Sequence, residues 1–132
     1  MCEHSFVTSQ GSAYGRFRRS LDTGSVTNAL TAAQELKPLP LTDSLELLLL
    51  LRDKAPERFA PAALRWHGRY CRETQGVELG EALAVLSLLG VMCGPRSKAA
   101  AFALADLLSQ RRGLEQACER LIRWARSWSR AS

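Results

Sequence analysis

Histidine is nearly absent from this 132-residue chain, with only His4 and His67. Neither belongs to a close-spaced ligand set, and none of Cys2, Cys71, Cys93 and Cys118 pairs as C-x-x-C. That spacing excludes the zinc-ribbon and thioredoxin-type patterns. A Gly-rich phosphate loop is missing too: Gly11-Ser12-Ala13-Tyr14-Gly15 lacks the lysine and the preceding strand that a P-loop requires. The Leu47–Leu51 run is far shorter than the about 20 apolar residues needed to span a bilayer. Met1–Gln10 shows neither the basic start nor the apolar run of a secretory signal, and no lipidation motif is present. These absences predict a cytoplasmic protein with reduced thiols, no membrane association, and neither cofactor nor metal. Valine and isoleucine are scarce, five and one, and no segment alternates with period two, which excludes a sheet.

What is present is leucine, alanine, arginine and glutamate at helical spacing. Phe17 and Leu21 fall on one face of a helix over Ala13–Asp22, closed by Gly24. A second helix is predicted over Ser25–Leu36, stopped by Pro38 and Pro40. Thr42 reads as the N-cap of a third, Asp43–Lys54, apolar around most of its circumference and hence central. Pro61 suits the first position of a helix reaching Thr74, with Gly76 just past its end. Leu79–Val91, Ser97–Gln110 and Leu114–Arg130 complete the set, separated by Gly94-Pro95 and Gly113. The expected architecture is all-α: a tail over 1–12, then one domain of six or seven antiparallel amphipathic helices over 13–132, an α-α hairpin bundle. Leu41, Asp43, Leu45, Leu48 and Leu51 align with Leu79, Glu81, Leu83, Leu86 and Leu89 at an offset of 38, so a HEAT-like repeat array is the other arrangement to consider.

The stretches FRRSLD (Phe17–Asp22), Val26–Leu30, PERF (Pro56–Phe59) and LRWHGRYC (Leu64–Cys71) resemble small uncharacterised helical proteins of actinobacterial type. The resemblance implies a bacterial cytoplasmic setting and carries no activity.

Few groups offer chemistry. His67 and Cys71, at i and i+4, share a helix face and could present two zinc ligands or a thiol with its base. They also share it with Ala63 and Leu64, which suits a boundary histidine held by packing. Arg65, Arg69 and Arg72 form a basic stripe relieved only by Glu73. The last helix is the most informative segment. Arg111–Ser132 carries six arginines against two glutamates, a charge of +4, so the remainder contributes only +1 of the chain's +5. Leu114, Cys118, Leu121, Ala125 and Trp128 make an apolar stripe, widened by Ala117 and Trp124. Arg120, Arg123, Arg126 and Arg130 take the other side, after Arg111 and Arg112.

Tryptophan and arginine are favoured anchors at protein interfaces. The sequence therefore reads as a non-catalytic interaction module of unknown pathway. It is expected to bind a protein partner through its helical surface and through Arg111, Arg112, Arg120, Arg123, Trp124, Arg126, Trp128 and Arg130. Nucleic-acid binding by the same basic helix is the second reading. A helix that simply packs on the bundle and shows its arginines to water would account for the pattern equally well, and C-terminal arginines also suit the helix dipole.

Overall fold

The computed structural model describes residues 12–131, with side chains through Ser127. The described residues form seven α-helices: α1 (Ala13–Thr23), α2 (Val26–Glu35), α3 (Leu41–Lys54), α4 (Phe59–Glu73), α5 (Leu79–Val91), α6 (Ser97–Leu108) and α7 (Glu115–Ala131). A 3-10 turn, Pro56–Arg58, leads into α4, and there is no strand among the described residues. None of these helices is long and apolar enough to cross a membrane. The tail expected over 1–12 lies outside the described residues except for Ser12. Where the sequence reads as one domain, helix contacts divide the chain into two compact units, 1–39 and 40–132.

In the first unit α1 and α2 form a hairpin. Ser12 caps α1 by accepting from Gly15 N at 3.0 Å, and Ser25 caps α2 by accepting from Asn28 N. Gly24 (φ 77°) turns the chain between them in the left-handed region that a side chain would strain. Phe17, Leu21, Ala29 and Ala32 are buried, and Arg16 pairs with Glu35.

The second unit is a ring of five helices. α3 packs on α4, α4 on α5, α5 on α6, α6 on α7, and α7 closes back on α3. A stacked repeat array would bring α3 against α5 and α4 against α6; those contacts are missing, so the helices make a closed bundle. Short connections make successive helices alternate in direction. An odd ring must then contain one parallel pair, and that pair is α3 and α7. Its register is written in three bonds. Ala117 N donates to Thr42 Oγ1 (3.1 Å), Arg120 Nε to Glu46 Oε1 (3.0 Å), and Trp124 Nε1 to Asp53 Oδ1 (2.9 Å). Both chains of residues ascend together.

The core of this unit joins Leu45, Leu48 and Leu49 of α3, Phe59, Trp66 and Tyr70 of α4, and Val85 and Leu89 of α5 to α6 and α7. α6 contributes Ala100, Ala101 and Ala105, and α7 contributes Ala117 and Ala125. Such small side chains let these two helices pack more extensively than any other pair among the described residues.

One expected cap is corrected. α3 starts at Leu41, so Thr42 lies inside its first turn; Pro40 holds the cap position and no side chain caps that end. The hydroxyl of Thr42 instead serves α7, taking an amide of that helix's first turn, which no intrahelical carbonyl can reach.

Candidate interaction surfaces

The pole of the ring holding the starts of α3, α5 and α7 carries a polar cluster. Tyr70 donates its hydroxyl to Glu81, and Arg111 grips the same carboxylate through two nitrogens, Nε at 2.9 Å. Arg111 also donates to the carbonyl of Gln75 at 2.9 Å. Tyr70 stacks on Trp66, whose indole donates to the Leu41 carbonyl at 2.9 Å. Burial and the neighbouring carboxylate push the Tyr70 phenol from 10 up to about 12. The Arg111 hydrogen bond holds Glu81 below the usual carboxylate range, and Arg111 itself is raised by Glu81. Arg111 also lines an open groove of about 480 Å³ with Thr42, Thr74 and Leu114. Every group in this cluster is engaged with another part of the fold, and it knits α4, α5 and the α6–α7 turn together.

Of the residues read as partner-binding, Arg111 is thus occupied in this cluster. Arg120 reaches the buried carboxylate of Glu46, which Gln116 Nε2 also approaches at 2.8 Å. Trp124 is buried, with its indole on Asp53. Arg112, Arg123 and Arg126 face solvent. The side chains of Trp128 and Arg130 lie outside the described residues.

His67 sits on the α5 side of α4, its Nε2 2.7 Å from the Ala82 carbonyl, with Cys71 Sγ 3.7 Å away. The carbonyl can only accept, so this nitrogen carries the proton and is turned away from metal ligation. Among the described residues no group of three His, Cys, Asp or Glu side chains could hold a metal ion. Cys118 is buried, and its burial raises the thiol. Cys71 is half-buried and Cys93 exposed, so the thiols are less uniformly buried than their residue type suggests. In the Arg65/Arg69/Arg72 stripe, Arg69 is tied to Glu73 and Ser44, which leaves Arg65 and Arg72 as its solvent-facing members.

The surface that the sequence reading passed over is the outer side of α5. Leu79 is 76% exposed and Leu83 55%, and Gly80, Ser87, Gly90 and Val91 also face solvent. The one charged residue of this helix, Glu81, turns inward to Tyr70 and Arg111. The outer face is therefore uncharged. On α4, Leu64 is exposed one turn before His67, the residue that meets Ala82 of α5. Sequence alone could not signal this exposure: a helix apolar in every direction is ordinarily enclosed, and α5 is not.

A second surface is the opposite pole. The Arg52–Met92 bond (2.6 Å) and the Trp124–Asp53 bond bring the ends of α3, α5 and α7 together there. Lys54, Arg58, Arg96, Lys98, Arg123 and Arg126 are exposed in these segments, against Asp53 and Glu57. No family model, curated protein or solved structure matches the chain.

Proposed function

We propose that this chain is a non-catalytic interaction module of the bacterial cytoplasm that binds a protein partner through its helical surface. The observation that carries this reading is the uncharged outer face of α5. Contiguous apolar surface exposed on a folded domain marks an interaction site more often than scattered single leucines do. The wet side of α7, with Arg123 and Arg126, supplies the polar complement such interfaces use. Arg112 flanks it at the other end of the helix.

Site-specific photocrosslinking in cells that make the protein tests this. A crosslinking residue at Leu83 should give a protein adduct, and one at Thr27, exposed on α2, should not. Loss of all protein adducts at Leu83 would sink the reading.

The basic pole favours a second reading, contact with nucleic-acid phosphates. Arginine dominates it, and the guanidinium fork suits phosphate. Binding of a duplex or single-stranded probe should then weaken steeply with salt. A flat salt dependence, or no binding at low salt, removes this reading. Nothing in the helix order presents a helix-turn-helix, so base readout is not part of it.

A further inference from the structure

We infer that the occupant of the α5 face is a second copy of this chain, packed as an antiparallel, two-fold α5–α5 pair. The inference rests on the reading of that face as an interaction surface and names its partner. Three observations point to self-pairing.

The first is register. In a two-fold dimer each residue meets the position reflected through the axis. With the axis level with Val85, the face of α5 is self-complementary. Leu83 meets Ser87 of the second copy, Leu86 meets Ala84, Gly80 meets Gly90, and Leu79 meets Val91. Both central leucines therefore lie against a small residue rather than against another leucine. A Cβ on Gly80 or Gly90 would meet nothing within 4 Å, so both glycines open outward and leave room for a close helix.

The second is charge. The two chains each carry +5 and would repel across most surfaces. The face of α5 presents no charge, so it is where two identical molecules can approach without opposing like groups. Antiparallel packing also sets the exposed Glu78, just before α5, towards the copy's Arg96 and Lys98, just after it. Parallel packing would place arginine beside arginine.

The third is size. α5 is 13 residues, hence about 20 Å long. A strip of that length and about 10 Å wide gives a contact below the about 1,200–2,000 Å² of stable specific interfaces, the size of a weak, reversible dimer.

Light scattering on the purified full chain should give a mass near twice the 14.6 kDa of one copy at high micromolar concentration, falling towards one copy on dilution. Leu83→Glu, at an exposed position, should keep the helical circular dichroism and weaken dimerisation at least tenfold. The double variant Leu83→Glu/Ser87→Arg should restore the dimer, because each glutamate then faces the copy's arginine. A wild-type chain that stays monomeric, a Leu83→Glu chain that still dimerises, or a double variant that stays monomeric overturns the proposal. The photocrosslink at Leu83 separates the two levels. A monomer that yields an adduct with a different protein overturns the dimer and keeps the interaction face, whereas a monomer with no adduct overturns both.

Discussion

Glu46 is the residue on which the parallel pairing of α3 and α7 turns. Its side chain is 1% exposed and carries a carboxylate held by Arg120 and Gln116. Removing the arginine would take a charged partner from a buried carboxylate, a loss that typically costs several kcal/mol. Arg120→Ala should therefore destabilise the protein by about 3 kcal/mol in urea unfolding. A loss below about 1 kcal/mol would show that solvent reaches the carboxylate. Tyr70 gives a second residue-scale outcome. Its pKa is raised from 10 to about 12, so the folded state holds the phenolic proton more tightly than the unfolded chain does. The stability this confers is complete below pH 10 and is lost as pH rises towards 12. Ultraviolet titration should show one tyrosinate forming near pH 12, a component absent from Tyr70→Phe; a Tyr70→Phe curve identical to wild type would contradict it. Neither residue announced itself in the sequence. Glu46 reads as an ordinary first-turn acid, and only the arrival of α7 converts it into a buried anchor. Arg120 and Trp124 read as binding residues because their types suit interfaces, and within the fold the same chemistry joins two helices.

At the scale of the element, helix existence was legible almost throughout. Leu79–Val91 coincides with α5, and Gly24, Gly76 and Gly113 stand at helix ends. The boundary at Thr42 was not, because a threonine before an apolar run is a good cap by its own chemistry. In the fold, α3 begins at Leu41, two residues before the expected Asp43, and the hydroxyl is used by α7. Thr42→Ala should cost about 1 kcal/mol, the usual loss for an uncapped helix start, while Thr42→Ser should restore most of it. Thermal unfolding of both variants measures this, and an equal loss for Ala and Ser would point to methyl packing instead. α5 carries the opposite lesson. Its periodicity was read well, but periodicity reports helix type and not position in the ring. An all-apolar helix placed at the outside exposes what a central one would hide.

For the whole molecule, the second unit has a core of its own drawn from all five of its helices. Residues 40–132 expressed alone should retain a helical circular dichroism spectrum and a cooperative thermal transition; a gradual, non-cooperative melt would contradict that. The amino-acid sequence by itself determined the all-helical class, the helix lengths and the turn positions. Those depend on local propensity, capping and 3.6-residue periodicity, which act over a few residues. It also located the excess of positive charge in the segment from Arg111 onward. Tertiary structure alone decided that five helices close into a ring, that α3 and α7 run parallel, and that Arg111, Arg120 and Trp124 are engaged inside the fold while Arg112, Arg123 and Arg126 are exposed. The reason is physical: burial and ion pairing are properties of surfaces meeting across some seventy residues of chain, and no local pattern encodes which surface arrives. The scarcity of histidine, of ligand pairs and of β-branched residues narrowed the chemistry before any fold was known. The face available for a partner, the bare outer side of α5, became visible only when the ring was complete.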